Sequence, residues 1–187
     1  MPIWDESKVT TKDKKLNDFQ TPSWVVKYMV SLIPKNTKNI LEPTSGQGNI
    51  IRELDGEFKI DAPEDFFLMK RKRFDCVIMN PPFSSKYANI ENAPQIKNIQ
   101  GMRLGYYFLT ECMEMSDHVI ALMPWFTVSD SDVRIRYLIG WGLKSITALP
   151  RKAFQYVRIQ TCILELSKGY SGKIEFKYLG GFNKQIF

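Results

Sequence analysis

The chain has 187 residues, 44% of them hydrophobic, and 26 Lys and Arg against 20 Asp and Glu leave a net charge of +6. That length suits one globular domain with a sizeable core, and no apolar run approaches the ~18 residues that a membrane span needs. His118 is the single histidine and the three cysteines lack metal-ligand spacing, which argues against a histidine metal cluster or a Ser-His-Asp triad. The opening Met1-Pro2-Ile3-Trp4-Asp5 has no signal-peptide pattern. Cys76, Cys112 and Cys162 fall in predicted strands and a helix and read as buried, reduced thiols, so a cytoplasmic protein without metal or membrane attachment is expected. The positive charge is compatible with a nucleic-acid partner.

In chain order, residues 1–18 are polar, carry Lys8, Lys12, Lys14 and Lys15, and are expected to form an arm ahead of a single domain over 19–187. Thr21 is predicted to cap a helix with Pro22 at its first position. Val25, Val26, Met29, Val30 and Ile33 give that helix an apolar face, and Pro34 stops it. Strands are predicted at 39–42, 57–61, 75–79, 118–123, 144–149 and 159–166, with helices at 48–54, 103–115 and 130–140. This alternation predicts an α/β fold with a mainly parallel sheet. The last two strands are joined by a short segment and are expected to be antiparallel. Residues 173–179 alternate as an edge strand does, with charges that discourage edge pairing.

Two motifs carry chemistry. The strand Asn39-Ile40-Leu41 runs into Glu42-Pro43-Thr44-Ser45-Gly46-Gln47-Gly48 and then into a helix. Strand, glycine turn, helix is the geometry of a nucleotide-type cofactor site, where backbone must approach the ligand closely. Glu42 at the strand's carboxyl end would repel a pyrophosphate but pair with the cationic methionine portion of S-adenosylmethionine. The second motif is Asn80-Pro81-Pro82-Phe83, at the end of Cys76-Val77-Ile78-Met79. The prolines remove N–H donors, leaving the Asn80 side-chain oxygen and the Pro81 carbonyl as converging acceptors for an amino group. Phe83 offers its ring a stacking face. The polar residues 84–101, with Lys86, Lys97 and Tyr87, follow directly and are expected to face the substrate.

Together these motifs resemble the gamma-type S-adenosylmethionine-dependent DNA adenine-N6 methyltransferases, in one collinear order over roughly residues 18 to 168. Phe19-Gln20-Thr21-Pro22-Ser23-Trp24-Val25-Val26 is similar to the family segment that precedes the glycine motif and closes over the cofactor. Ile120-Ala121-Leu122-Met123-Pro124-Trp125-Phe126 resembles the fifth strand of the family. Ala148-Leu149-Pro150-Arg151-Lys152-Ala153-Phe154 with Thr161-Cys162-Ile163-Leu164-Glu165-Leu166 resembles its closing strand pair. The resemblance implies the Rossmann-like methyltransferase fold with an antiparallel terminal strand. It also implies S-adenosylmethionine against Thr21, Pro22, Glu42, Pro43, Thr44, Gly46, Gly48, Asp65 and Phe66. Asn80, Pro81, Pro82 and Phe83 would be catalytic, with Phe83, Phe154, Lys86 and Lys97 on the substrate.

The sequence departs from the family in two places. Only 16 residues separate Gly48 from Asp65, where a helix, a second strand, another helix and a third strand are usual. One βαβ unit alone takes about 30 residues, so the fold is expected to be shortened in the second-strand region. The acid for the cofactor's ribose then has no clear counterpart, with Asp61, Glu64 and Asp55 as substitutes. After Lys168 only 19 residues follow, too few for the family's target-recognition domain. Specificity is expected to come from the 84–101 loop or from a separate specificity subunit, or else to be low. The leading function is methylation of adenine N6 in DNA, as in restriction-modification. The alternatives are an RNA or protein amide N-methyltransferase, and a degenerate, non-catalytic module that binds nucleic acid or a partner.

Overall fold

The computed structural model describes residues 20–54, 56, 58–83, 104–154 and 159–180. Helix α1 (Ser23–Ser31) leads into β1 (Asn39–Leu41), α2 (Asn49–Glu53), β2 (Lys59–Asp61) and β3 (Cys76–Met79). Then come α3 (Leu104–Met115), β4 (His118–Pro124), the short α4 (Phe126–Ser129), α5 (Asp132–Trp141), β5 (Leu143–Ala148), β6 (Thr161–Ser167) and β7 (Glu175–Tyr178). All the predicted strands and helices form, within a few residues of their expected bounds. The α4 turn was not foreseen.

The strands make one sheet in the order β2-β1-β3-β4-β6-β5-β7. Strands β1 to β4 are mutually parallel, while β6 runs antiparallel to both β4 and β5. Strand β7 lies parallel to β5 at the edge, with Phe176 and Tyr178 exposed. This is the mainly parallel sheet with an antiparallel closing strand that the sequence predicts. The shortening falls after β2 rather than at it. β2 is present and pairs Asp61 with Leu41, but residues 62–73 contain no helix or strand. Among the described residues no strand lies beyond β2.

Central strands buried on both faces need apolar side chains in both directions, and β3 supplies four in a row. On one face Leu41, Val77, Met79, Val119 and Ala121 pack with Phe108, Leu109, Cys112 and Met113 of α3 and Leu138 of α5. On the other, Ile40, Ile78, Ile120, Leu122 and Ile163 pack with Val25, Val26 and Met29 of α1 and Ile50 of α2. Burial pushes the Cys76 and Cys162 thiols up to about 12, and raises Cys112 as well.

Polar pins set the ends of the sheet. Asp75 Oδ2 accepts from the Lys38 and Asn39 amides at 2.8 and 3.0 Å. Asn39 Oδ1 accepts in return from Asp75 N at 2.7 Å, locking β1 to β3. These backbone donors hold the Asp75 carboxyl below its usual value. In the other half of the sheet, Gly142 joins α5 to β5 with φ +136°, and a β-carbon there would sit 2.0 Å from the Ser167 carbonyl oxygen. Ser167 N donates to Gly142 O at 2.9 Å, holding the two segments together. Gly142→Ala is therefore expected to cost roughly 3 kcal/mol or more, through backbone strain and a clash that main chain must relieve. Urea unfolding of the variant checks this; a change under ~1 kcal/mol would show that the turn relaxes freely.

Candidate active site

The carboxyl ends of β2, β1, β3 and β4 stand side by side and present Asp61, Glu42, Asn80 and Pro124 in that order. Ligands of open parallel sheets bind at this end. Glu42 follows β1 and is fully buried. Its Oε1 accepts from Thr44 N at 3.1 Å and Thr44 Oγ1 at 3.2 Å, while Oε2 has no hydrogen-bond partner. Desolvation pushes its carboxyl up to about 7, against the two Thr44 hydrogen bonds that lower it. A buried, half-satisfied carboxylate is costly, and a cationic ligand would supply what it lacks.

The loop after Glu42 turns tightly. Gly48 N donates to Ser45 O at 2.7 Å. Gly46 and Gly48 take φ +50° and +78°, a region that only glycine enters without penalty. Gly48 is also the residue before α2, so the turn delivers that helix's free amides to the same end of the sheet.

Residues Gln20 and Thr21 connect the two motifs. The Gln20 side chain lies over Gly46, where a β-carbon would meet Nε2 at 2.9 Å. Thr21 O accepts from Asn49 Nδ2 at 3.1 Å, and Thr21 Oγ1 accepts from Asn80 Nδ2 at 3.0 Å. The expected capping role of Thr21 is thereby corrected. Helix α1 starts at Ser23 after an extended Pro22, without a side-chain cap, and the Pro22 carbonyl takes the Val25 and Val26 amides at 2.9 and 3.0 Å. The Thr21 hydroxyl is engaged by Asn80 instead.

In the second motif Pro81 is buried, and Pro82 and Phe83 are half-buried. Phe83 backs onto the first turn of α3, where a β-carbon on Gly105 would lie 3.4 Å from its ring. Two other expected contacts are more enclosed. Phe66, 7% exposed, packs on Phe108 with ring centroids 4.9 Å apart. Phe154, 8% exposed, lies in the cluster with Leu149 and Ile163. Asp65 Oδ1 accepts from Phe67 N at 2.8 Å and shapes the turn that carries Phe66. Asp61 is ion-paired with Lys72, Glu64 is exposed, and Pro43 is buried beside Glu42. Lys86, Lys97 and Asp55 lie outside the described residues.

Motif reading did not single out Asn49 or Thr161. Asn49 is legible only through its contact with Thr21. Thr161, at the start of β6, carries the second buried hydroxyl or carboxylate oxygen without a partner among the described residues; no local pattern marks it. Among the same residues no group of His, Cys, Asp or Glu is placed to hold a metal ion, and no helix is long and apolar enough to cross a membrane.

No protein-family model and no curated protein matches this sequence. Solved structures do match its fold. A modification subunit of a putative type I restriction enzyme from Vibrio vulnificus is 19% identical, with a TM-score of 0.64 over 90% of this chain and 48% of its own. A type I restriction-modification methyltransferase subunit from Streptococcus thermophilus is 17% identical, with a TM-score of 0.63 over 86% of this chain and 47% of its own. A putative class I S-adenosylmethionine-dependent methyltransferase from Listeria monocytogenes is 16% identical, with a TM-score of 0.58 over 95% of this chain and 75% of its own. The chain spans about half the length of the first two. It has the fold of S-adenosylmethionine-dependent methyltransferases.

Proposed function

We propose that this chain transfers a methyl group from S-adenosylmethionine to the exocyclic N6 amino group of adenine in DNA. The observation that carries the reading is the position of Asn80. It stands at the carboxyl end of β3, one strand from Glu42, with its amide turned by the hydrogen bond to Thr21. Donating through Nδ2 to Thr21 directs Oδ1 away from that hydroxyl, so that Oδ1 and the Pro81 carbonyl accept the two amino protons. Drawing those protons localises the nitrogen lone pair for attack. Alignment and electrostatics then supply most of the rate, and no strong base is required. The proton leaves after attack, to Asn80 or water. A paired adenine cannot reach such a pocket, so the base is flipped out and stacks on Phe83.

The orphaned Glu42 Oε2 fits a cation, and Glu42, Asp61 and the turn at Gly46 and Gly48 would hold S-adenosylmethionine, which supplies an electrophilic sulfonium methyl. Thr21, Pro22, Pro43, Thr44, Asp65 and Phe66 complete that side, Thr21 by positioning Asn80. Lys86, Lys97 and Phe154 are assigned to the DNA side. The type I restriction and modification subunits of similar fold support a restriction-modification setting, and a separate specificity subunit is assigned as the partner.

Unmethylated plasmid DNA incubated with methyl-labelled cofactor is expected to yield labelled N6-methyldeoxyadenosine on digestion. Label found in RNA or protein instead would move the substrate class, and no label in any of the three would remove the reading. Asp61 ends the strand next to β1, which is the place for a ribose-binding acid. Wild type is expected to prefer S-adenosylhomocysteine over its 2′-deoxy analogue by ~10-fold or more, in line with a charged hydrogen bond. Asp61→Asn should lose most of that preference. Calorimetry on both proteins decides it, and equal affinities in wild type would take Asp61 out of the site.

A further inference from the structure

Two buried side-chain oxygens among the described residues lack a hydrogen-bond partner, Glu42 Oε2 and Thr161 Oγ1. Both stand at the carboxyl end of the parallel strands, on opposite sides of Asn80. Glu42 follows β1, Asn80 follows the neighbouring β3, and Thr161 pairs with Pro124, the last residue of β4. If Glu42 marks the cofactor side, Thr161 lies where the acceptor must lie.

The faces agree. Along a strand, residues two apart share a face. Thr161 therefore faces with Ile163, in the cluster that contains Leu149 and Phe154, and Ile78, two residues before Asn80, belongs to the same cluster. Thr21, bonded to Asn80, precedes α1, which covers this face. Counting two strand spacings across and two residues along places the Thr161 and Asn80 backbones on the order of 12 Å apart. A purine with one hydrogen bond at each end bridges that gap.

We propose that the Thr161 hydroxyl is a base-contacting group that hydrogen-bonds the ring edge of the adenine whose amino group Asn80 receives, and so helps set which base the pocket accepts. The inference rests on the amino-methyltransferase reading. An unpartnered buried hydroxyl gives the empty protein nothing and costs it desolvation, a pattern expected where a residue is kept for its ligand. A site built to hydrogen-bond a substrate rejects analogues that leave its polar group unpaired. Thr161 is 1% exposed and Phe154 8%, so the contact forms only when neighbouring side chains move aside. Such rearrangements are common on binding.

The test compares Thr161→Val, which keeps the shape and deletes the hydroxyl, with Thr161→Ser, which keeps the hydroxyl. Each is assayed for methyl transfer to unmethylated plasmid DNA, for cofactor affinity by calorimetry, and for thermal unfolding. Thr161→Val is expected to lose ~10-fold in kcat/KM, the scale of one neutral hydrogen bond. Its cofactor affinity should stay unchanged and its Tm should be equal to or above wild type. Thr161→Ser should retain methyl transfer. A Thr161→Val protein that methylates DNA like wild type overturns the inference while leaving the proposed function standing. Loss of activity in both variants alike, with lowered Tm, also overturns it, because packing and not the hydroxyl would then be responsible. A wild-type protein that methylates no DNA overturns both.

Discussion

Asn80→Ala is expected to lower the rate of methyl transfer by at least ~10²-fold, the scale seen when one preorganised group for developing charge is removed. The side chain contributes most when the amino nitrogen is becoming cationic, so the loss should fall on kcat more than on cofactor affinity. Folding should be nearly intact. The structural loss is one partly buried hydrogen bond, Nδ2 to Thr21 Oγ1, worth about 0.5–1.5 kcal/mol. Single-turnover transfer of labelled methyl groups, with calorimetry for the cofactor, separates these effects. Turnover at the wild-type rate would rule out the amino-acceptor mechanism.

The second large effect concerns Glu42. Its folded carboxyl titrates at about 7, above the ordinary 4.5, because burial disfavours its charge. The folded state then holds a proton that the unfolded chain releases, so stability falls as pH rises between those values. The contribution is fully present below pH 4.5 and gone above pH 7. A difference of that size is equivalent to about 3 kcal/mol at 1.36 kcal/mol per unit. Glu42→Gln removes this titration. The stability of wild type relative to the variant should therefore drop by about 3 kcal/mol between pH 4.5 and pH 8, roughly 6–12 °C in Tm for a chain of this size. Glutamine should also weaken S-adenosylmethionine binding by ~1.5–3 kcal/mol through the lost charged contact. Thermal scans across pH read the first effect and calorimetry the second. Parallel stability curves would show that Glu42 is not titrating, and unchanged affinity would move the cofactor elsewhere.

Much of this was legible in the residues alone. The apolar runs at 39–41, 76–79 and 118–124 had to become strands buried on both faces. Prolines at 22 and 34 bounded α1, and glycines at 46 and 48 announced a turn that only they could make. The short span from Gly48 to Asp65 announced a missing unit. Pattern along the chain reports local backbone preference and burial, and these elements depend on little else.

What depended on distant partners was decided only by the tertiary structure. Thr21 carries a capping signal, yet its hydroxyl engages Asn80, 59 residues away, because the sheet brings the end of β3 beneath it. That the missing unit lies beyond β2, leaving Asp61 beside Glu42, follows from strand pairing and not from length. The enclosure of Phe66 and Phe154 is set by helix and strand neighbours far along the chain. The isolation of Glu42 Oε2 and Thr161 Oγ1 is the clearest case. A threonine that opens a β-strand resembles any other until the surrounding chain has removed its water and provided no replacement.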